Sequence, residues 1–585
     1  MCLMTLVITV IPCDLSLIRI LMSDIKILIM NTLPIQGGML LIYSISNHIG
    51  VSFLLTGIIC FAISEVNRFK MVFRDDPFVF SDVLLVNEAK DMMGKYELYL
   101  DKVSLCAIIF LIAGTFFCFY FLKVKLDNKK IRLAYGGIFL VVMIMLGKVL
   151  YFEDEDIYNN TWHYQFGNMW KNGNQCMSRG IIYSFVRSIP DAITIPPEGY
   201  AEEEVIEILE EYETTPLDED KQAHVISIML EAYNDFSEFE GVEFVRDPYE
   251  AFHELQSESY HGKLFTNIFA AGTVQTERAF LTGYRDPVIK DRNVESYVRY
   301  FNEQGYYTEA MHPCYGWFYN RKNVNEYLGF DNFLYYENKF ENVDENELEV
   351  ETYHGLLSDY DFFDYIIQGH EDALKNNHKY FNFSVTYQNH GPYADEKETD
   401  ETYLLKKEGY TDAEYNIINN YLYHISKTDR AIEKLRTYID QQEEPIVLIL
   451  FGDHNPWLGD NNSVYEMLDI DLNLDTTVGA ENYYQTPYLV YANTSAKKMY
   501  GKSFSEQENT ISPMFLMNEV FEYIGIEGSA YLNYLQDIKE EYSIINTVYT
   551  GESDDLFLTC ELTDDKTLIE QERVEYYMKN VKSVD

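Results

Sequence analysis

PIVLILFGDHNPWLG, residues 445–459, is the stretch that decides the fold class of this chain. Its first seven residues form an apolar, β-branched run, which is typical of a strand buried on both faces of a sheet. A glycine that permits a sharp turn follows, and then Asp453 and His454. The stretch therefore predicts a buried strand that ends on groups able to bind a metal ion.

Three further stretches repeat this strand pattern. HVISIML (224–230), FNFSVTY (381–387) and YLVYA (488–492) are short and rich in branched or aromatic residues. Between them, segments such as 413–441 carry isoleucine and leucine at the three- and four-residue spacing of an amphipathic helix. Alternating strands and helices predict an α/β domain with a mostly parallel central sheet. In such a sheet, ligands bind beyond the carboxyl ends of the strands.

Side chains that ligate metals stand at these predicted strand ends. Glu231 follows the first run, His390 lies just beyond the second, and Asp453 with His454 follows the stretch quoted first. Carboxylate oxygens together with imidazole nitrogen suit Mn²⁺, Mg²⁺ or Zn²⁺. Taken singly, each residue is more often a solvated loop residue or part of a turn. Their common placement at strand ends is what favours a metal site.

FAAGTVQTERAFLTG (269–283) offers a candidate nucleophile. It contains Thr273 and Thr276, whose hydroxyl groups attack only after a metal ion or a base has promoted loss of the proton. The alternative is a plain loop in which Thr276 caps the helix that begins near Glu277. The residues alone leave both interpretations open.

The first 151 residues are apolar and predict a transmembrane region. A helix needs about 20 apolar residues to cross a bilayer. Proline, glycine or aspartate interrupts the first two stretches. We predict five spans: Leu3–Leu21, Ile25–Ile45, Ile49–Ile63, Val103–Leu122 and Leu133–Phe152.

Charge predicts the orientation of these spans. The loop 123–132, KVKLDNKKIR, carries five basic residues and is typical of a cytoplasmic loop. The last span then leads outward, so the chain is expected to be a multi-pass protein of the cell membrane with its globular part extracytoplasmic. Residues 152–585 hold 31 Lys and Arg against 83 Asp and Glu, a net charge of −52. This acidic surface excludes nucleic acid as a partner.

Composition divides the chain into four regions. We predict a transmembrane region over 1–151, a linker that packs on the globular domain over 152–220, the globular domain over 221–540, and an acidic C-terminal extension over 541–585. The linker holds too many aromatic residues for a disordered tether. The transmembrane region either only anchors the globular domain or also handles lipid and acceptor, and the sequence leaves this open.

Five motifs resemble the lipoteichoic acid synthase family of glycerophosphate transferases, which are membrane-anchored, sulfatase-like members of the alkaline phosphatase superfamily. The resemblance covers nearly the whole chain, and the motifs occur in the order of the family. It implies an alkaline-phosphatase/sulfatase-like α/β domain outside the cytoplasm. The motifs are IMLEAYNDFS (228–237), AGTVQTERAFLTG (271–283), GWFYNRKNVNEYLGF (316–330), NHGPY (389–393) and FGDHNPWLG (451–459).

The resemblance also implies roles for individual residues. Glu231, Asp453 and His454 match metal ligands of the family, and Thr273 matches its nucleophile, which also contacts the metal. Tyr319 stands where the best-known members carry tryptophan, so the headgroup preference need not be theirs. The substrate-binding positions of the family match His312, Tyr319, Asn320, Arg321 and His390.

The implied reaction is a two-step transfer that depends on a divalent cation, with Mn²⁺ expected and Mg²⁺ or Zn²⁺ as alternatives. Thr273 attacks phosphatidylglycerol or a related phospholipid donor, diacylglycerol leaves, and a hydroxyl of a glycerophosphate polymer, glycolipid or glycan accepts the glycerophosphate. Three alternatives stay open: a phosphodiesterase, a phosphoethanolamine-type transferase, and a non-catalytic membrane protein that binds glycerophosphate. Sulfatase activity is disfavoured, because no Cys or Ser in a Cys/Ser-x-Pro-x-Arg setting stands at the position of Thr273.

Overall fold

A computed structural model gives the structure of the chain. The chain divides into two compact units, residues 1–195 and 196–585. The predicted boundaries at 152, 221 and 541 stay predictions. The structure describes residues 7, 24–74, 77–84, 102–126, 128–153, 176, 178–192, 195–270, 272–289, 292–341, 356–552 and 555–584.

Within the described residues of the first unit, four helices are long and apolar enough to cross a membrane. Large apolar side chains such as Ile109 and Phe116 are exposed along them, as contact with lipid requires. The predicted span Leu3–Leu21 lies outside the described residues. The four helices are Ile25–Ser46, Ile49–Arg74, Lys102–Phe121 and Lys129–Gly147, the last extended by a π-helical turn Lys148–Glu153, and shorter helices are Ser81–Leu84, Ile181–Arg187 and Ile189–Ala192.

Pro34 interrupts the apolar sequence of the predicted span Ile25–Ile45 but does not break the helix. The helix Ile25–Ser46 continues through it. Proline has no N–H to donate to the carbonyl oxygen four residues earlier, which here belongs to Met30. The buried hydroxyl of Tyr151 donates to that oxygen instead, at 2.6 Å. The helix stays intact because a neighbouring segment satisfies the freed carbonyl group.

The basic loop lies at the same end of this unit as the turn between the first two described helices. Arg132 Nε donates to the carbonyl oxygen of Ser44 at 2.8 Å. The N–H of Leu126 donates to the side-chain oxygen of Asn47 at 2.9 Å. Helices that alternate in direction across a membrane place these two connections on one side. The arrangement places both connections on one side of a membrane, and the cytoplasmic location of the basic loop stays a prediction.

The described part of the second unit contains ten strands. Six of them were not predicted as strands from the sequence, because they are short or interrupted by polar residues. The strands are β1 (His224–Leu230), β2 (Tyr260–Phe265), β3 (Tyr306–His312), β4 (Asn332–Tyr335), β5 (Lys379–Val385), β6 (Ile446–Gly452), β7 (Gln485–Ala492), β8 (Ile544–Ile545), β9 (Tyr549–Glu552) and β10 (Asp555–Leu558).

Seven strands form one mixed sheet in the order β2–β7–β6–β1–β5–β3–β4. The five strands from β6 to β4 are parallel, and β7 runs antiparallel to both of its neighbours. A separate antiparallel sheet has the order β10–β9–β8. This mostly parallel central sheet confirms the predicted α/β fold class.

Two large clusters of buried side chains pack against the sheet. Alternate residues of a strand point to opposite faces, so Met229 belongs to one cluster, and Ile228 and Leu230 belong to the other. The α-helices of this unit are Glu202–Glu210, Glu250–Ser257, Val274–Thr282, Tyr297–Glu303, Arg321–Leu328, Asp359–Lys375, Asp412–Asp440, Ser463–Met467, Thr477–Tyr484, Thr494–Tyr500, Leu516–Ile524, Ala530–Glu541 and Lys566–Asn580.

Two buried histidines lie near the amino end of β1. The rings of His224 and His370 meet edge to face, with their centroids 4.7 Å apart. Burial lowers the pKa of His224 to about 3 and that of His370 to about 4. In the unfolded chain both titrate near pH 6.5. Between about pH 4 and 6.5 the unfolded state therefore binds more protons, so stability falls as the pH drops through this range.

We expect His370→Gln to cost less stability at pH 5 than at pH 7.5, by up to about 2 kcal/mol, because glutamine does not titrate. Denaturant unfolding of the detergent-solubilised chain at the two pH values gives this difference. The exposed His378, changed to glutamine, is the control and should show no such dependence. Equal pH dependence of the two variants would show that His370 does not cause the loss of stability at low pH.

Candidate active site

The candidate site lies at the carboxyl edge of the large sheet. The strands β1, β3, β5 and β6 run parallel, so their carboxyl ends meet along one edge. Glu231 follows β1, His312 ends β3, and Asp453 follows β6. This is the edge at which α/β domains bind their ligands.

Two backbone features shape this edge. A Cβ atom on Gly452 would lie 2.1 Å from the carbonyl oxygen of Tyr233, so only glycine permits this close approach. Ala232 has a φ of 46°, in the left-handed region that residues other than glycine rarely adopt. Its N–H donates to Asp453 Oδ1 at 2.7 Å. The strained turn thereby holds the chain next to Glu231 against Asp453.

Glu231, Asp453 and His454 form a compact buried group. One candidate ligand atom of each lies within 4.8 Å of the others. His454 Nε2 is 3.2 Å from Asp453 Oδ2 and 3.8 Å from Glu231 Oε1. The three residues are 4 %, 0 % and 3 % exposed, respectively. Buried carboxylates so close together require a positive charge, or protons, between them.

The hydrogen bonds of this group leave lone pairs suited to a cation. Asp453 Oδ1 accepts from the N–H of His454 at 2.7 Å, whereas Oδ2 has no hydrogen-bond partner among the described residues. His454 Nδ1 donates to the carbonyl oxygen of Asn455 at 2.9 Å, so Nε2 keeps a lone pair. This lone pair faces the unpartnered oxygen. Two carboxylates and an imidazole with this geometry fit a divalent cation.

Electrostatics support the same interpretation. Burial, followed by repulsion from Asp453, raises the pKa of Glu231 to about 8. Burial likewise raises the pKa of Asp453. A divalent cation between the two groups reverses this penalty and favours both ionised forms. The buried carboxylates are therefore better matched to a bound cation than to an empty core.

Thr273 places its hydroxyl beside this group. Its Oγ1 donates to Glu231 Oε2 at 3.4 Å and lies 3.5 Å from His454 Nε2. The helix Val274–Thr282 begins directly after it. Thr276 lies within that helix and donates to the carbonyl oxygen of Asp453 at 2.8 Å, so it does not cap the helix. Of the two threonines, only Thr273 has its hydroxyl at the carboxylates.

Arg321 is a second buried feature of this edge. Its Nε and Nη2 atoms donate to the same carboxylate oxygen of Glu277, at 2.9 and 2.8 Å. Its Nη1 has no hydrogen-bond partner among the described residues. The residue is 2 % exposed, so an unpartnered N–H group in this place is costly unless a ligand accepts from it. An anion is the natural acceptor.

Tyr319 connects Arg321 to the threonine. The Arg321 guanidinium lies over the ring of Tyr319, 5.5 Å from its centroid. Burial raises the pKa of the Tyr319 hydroxyl, and the backbone N–H of Gly272, the residue directly before Thr273, partly lowers it. Arg278 Nη2 donates to the Tyr319 carbonyl oxygen at 2.7 Å. The Arg278 guanidinium thus binds the backbone of Tyr319, and the Arg321 guanidinium lies over its ring.

Two further predicted residues, His312 and His390, lie near this site, and a third, Asn320, has its own local contact. His312 Nδ1 donates to the carbonyl oxygen of Val385 at 3.0 Å, and burial followed by the charge of Arg321 lowers its pKa. Burial lowers the pKa of His390 below its usual value, and the negative charge of Asp453 offsets part of this shift. Asn320 is exposed and its Oδ1 accepts from Asn323 Nδ2 at 2.7 Å, and no described contact joins it to the carboxylates.

Sequence reasoning did not identify Glu277 and Arg278 as parts of this site. Glu277 entered only as a residue near a helix start, although its carboxylate orients Arg321. The two are 44 positions apart, so no local pattern joins them. The adjacent opposite charges in TERAF gave no signal for this pair, because Glu277 binds Arg321 and not Arg278.

Comparison with known proteins gives a family. A family model described as Sulfatase matches residues 223–526, which contain every residue of the candidate site. A putative cyclic beta-1,2-glucan modification protein of Rhizobium meliloti (strain 1021) is 25 % identical over 397 residues, which are 65 % of this chain and 57 % of that protein. The chain therefore spans little more than half the length of this relative.

Two solved structures have a similar fold. The Streptococcus pyogenes phosphoglycerol transferase GacH, in complex with sn-glycerol-1-phosphate, has a TM-score of 0.49 and 20 % identity, covering 66 % of this chain and 95 % of that one. The lipoteichoic acid synthase LtaP from Listeria monocytogenes has a TM-score of 0.46 and 18 % identity, covering 66 % and 100 %. Because the family model matches more than half of the chain, we conclude that the chain belongs to the sulfatase family.

Proposed function

We propose that the chain transfers glycerophosphate from phosphatidylglycerol to an acceptor hydroxyl through a covalent intermediate on Thr273. The observation that carries this proposal is the position of the Thr273 hydroxyl, within 3.5 Å of both Glu231 and His454. A nucleophile beside a buried metal-ligating set is the arrangement that phosphate-ester chemistry requires. Family membership alone does not identify which phosphate ester is the substrate, because one fold hosts several reactions.

Both steps of the proposed reaction conserve atoms and charge. In the first step a bond forms between Thr273 Oγ1 and phosphorus, the bond from phosphorus to the diacylglycerol oxygen breaks, and the threonine proton ends on that oxygen. In the second step the acceptor oxygen bonds to phosphorus, the threonine ester breaks, and the acceptor proton returns to Thr273. A divalent cation held by Glu231, Asp453 and His454 supplies positive charge that favours loss of the hydroxyl proton.

The charges around the phosphate favour glycerol over ethanolamine as the headgroup. Arg278 and Arg321 carry two positive charges, and Glu277 compensates one of them. An ammonium group would add a further positive charge beside two guanidinium groups, which costs free energy at close range. A neutral glycerol has no such penalty, and the excess positive charge attracts the phosphodiester anion.

The four apolar helices fit a lipid donor. A membrane-anchored enzyme and its phospholipid share one surface, which raises the effective concentration of the donor. We propose that the chain is a multi-pass protein of the cell membrane with the catalytic unit outside the cytoplasm. The cation in this proposal is Mn²⁺, and Mg²⁺ and Zn²⁺ are the ions to compare with it.

Release of diacylglycerol from labelled phospholipids in micelles tests the donor. We expect release from phosphatidylglycerol when Mn²⁺ is present, little release after chelation, and much slower release from phosphatidylethanolamine. Faster release from phosphatidylethanolamine would show that this lipid is the donor and that the chain transfers phosphoethanolamine. Lack of release from every phospholipid, with metal bound, would contradict the proposed reaction.

Arg321→Lys is expected to lower kcat/KM for the donor by about 10- to 100-fold. Lysine keeps the charge but cannot bind Glu277 with two N–H groups and offer a third to phosphate. Steady-state kinetics of diacylglycerol release give the value. The matched control is Arg436→Lys, whose partners Glu254 and Glu258 lie on the surface, and it should leave the rate unchanged. Equal effects of the two substitutions would show that Arg321 does not bind the donor.

A further inference from the structure

A strip of aromatic side chains begins at the candidate site and leads away from it. We call Tyr319, Phe318, Trp317, Tyr315 and Tyr336 the aromatic strip. Successive ring centroids lie 4.4 Å apart from Tyr319 to Phe318, 5.9 Å apart from Phe318 to Trp317, and 5.3 Å apart from Trp317 to Tyr315. Tyr336 meets Tyr315 at 5.0 Å. The rings therefore form a continuous surface rather than isolated contacts.

The aromatic strip is accessible from outside although it is apolar. Tyr315 is 38 % exposed and Tyr319 is 37 % exposed, and Trp317 is half-buried. Trp317 stacks on Tyr315 with an angle of 21° between the rings. Adjacent exposed aromatic rings of this kind are uncommon on a soluble surface and mark places where a ligand binds. The proposed donor chemistry uses Tyr319 at one end and leaves Tyr315 and Trp317 without a role.

The chemistry of these rings suits a sugar. The faces of pyranose rings carry C–H groups that pack on aromatic faces, while their hydroxyl groups hydrogen-bond to polar neighbours. The carboxylate of Glu337 accepts the N–H of Gly316 at 2.9 Å and lies near Tyr315, as does Glu341. Carboxylate oxygens beside aromatic rings can accept hydrogen bonds from sugar hydroxyl groups.

The net negative charge of residues 152–585 disfavours a polyanion at the aromatic strip. Residues 152–585 carry a net charge of −52. Burial raises the pKa of the Tyr315 hydroxyl, and the negative charges of Glu337 and Glu341 raise it further. A glycerophosphate polymer bears one negative charge on each unit, so this surface repels it at long range. An uncharged glycan has no such penalty.

We propose that the aromatic strip binds an uncharged glycan and presents one of its hydroxyl groups to the intermediate on Thr273. This inference rests on the proposed function and names the acceptor class for it. The sugar oxygen bonds to phosphorus, the ester bond to Thr273 Oγ1 breaks, and the sugar proton passes to that oxygen. Trp317 and Tyr315 bind the acceptor and take no part in release of diacylglycerol.

The full chain in phosphatidylglycerol micelles with Mn²⁺ serves for the test. The acceptors are neutral gluco-oligosaccharides with β-1,2, β-1,3 and β-1,4 linkages, compared with polyglycerophosphate. We expect at least one neutral oligosaccharide to be the better acceptor. The double variant Trp317→Ala, Tyr315→Ala should raise the acceptor KM by about 10-fold or more with little change in kcat. The first turnover of diacylglycerol release, measured without acceptor, should keep the wild-type rate, which also shows that the variant is folded.

Two sets of variants separate ring stacking from a general loss of structure. Trp317→Phe and Tyr315→Phe keep the rings and should retain most of the acceptor affinity. Phe557→Ala removes an exposed aromatic side chain on β10 and should change neither step. An unchanged acceptor KM in the double alanine variant overturns the proposal, as does preference for polyglycerophosphate. Loss of diacylglycerol release in that variant would assign the strip to the lipid surface instead.

Failure of the acceptor inference and failure of the proposed function give different results. Oligosaccharide binding to the full chain, followed by tryptophan fluorescence, needs no turnover. If diacylglycerol is released but neither binding nor transfer depends on Trp317, the acceptor inference fails alone. If no phospholipid is cleaved, the proposed function fails, and strip-dependent oligosaccharide binding then assigns this surface to glycan recognition without that reaction.

Discussion

Thr273→Val is expected to reduce diacylglycerol release from phosphatidylglycerol by about 10⁴-fold or more. Valine has nearly the shape of threonine and fits the same buried position, but it lacks the hydroxyl group that forms the bond to phosphorus. Thr273 is 5 % exposed, so water has little room to take the place of that oxygen. The rate of diacylglycerol release in micelles, with Mn²⁺ and an acceptor present, measures the effect.

Two controls make this result specific. Thr273→Ser restores the hydroxyl and should recover part of the activity, while Thr276→Ser changes the neighbouring threonine and should leave most of it. Binding of Mn²⁺ to the valine variant shows whether the site still holds the ion. Release at the wild-type rate by Thr273→Val would mean that another group attacks phosphorus.

Asp453→Asn is expected to change stability in opposite directions with and without metal. Without metal, one of two mutually repelling buried carboxylates becomes neutral, and the amide oxygen can still accept from Ala232 and His454. The metal-free variant should therefore melt at the same temperature as the wild type or higher. With Mn²⁺ at 100 times its Kd, the wild type gains about 2.7 kcal/mol, and the variant should lose most of that gain.

Thermal unfolding with and without Mn²⁺ measures both parts of this prediction. Asp359→Asn is the matched control, because Asp359 is also fully buried, accepts from the Thr428 hydroxyl at 2.6 Å, and lies outside the carboxylate group. Its metal-dependent gain should equal that of the wild type. A full metal-dependent gain in Asp453→Asn would show that the cation binds elsewhere.

The sequence predicted the parts of the fold that depend on simple periodicity. The runs at 224–230 and 445–451 are nearly continuously apolar, because a central parallel strand is buried on both faces, and they correspond to β1 and β6. β2 and β3 contain Gly262, Lys263 and Glu309, so their pattern is not continuous and was not recognised. Their neighbours in the sheet, rather than their own composition, make them strands.

Prediction of the candidate site from the sequence was limited in the same way. Glu231, Asp453 and His454 could be selected because each follows a predicted strand and parallel strands end at one edge. Thr273 needed the family resemblance, since a threonine in a small-residue loop has no local signature. Arg278 needed the structure, because its contact is a carbonyl oxygen of Tyr319, 41 positions away. Long-range pairs of this kind leave no periodic trace in a single sequence.

The most direct test of the central claim is a search for the covalent intermediate. The purified chain is incubated with phosphatidylglycerol and Mn²⁺ without acceptor, quenched in acid and digested, and its peptides are weighed by mass spectrometry. The account predicts one glycerophosphate group on the peptide that contains Thr273, absent in Thr273→Val and lost when an acceptor is added before the quench. Turnover without this adduct, or an adduct on another residue, would contradict it.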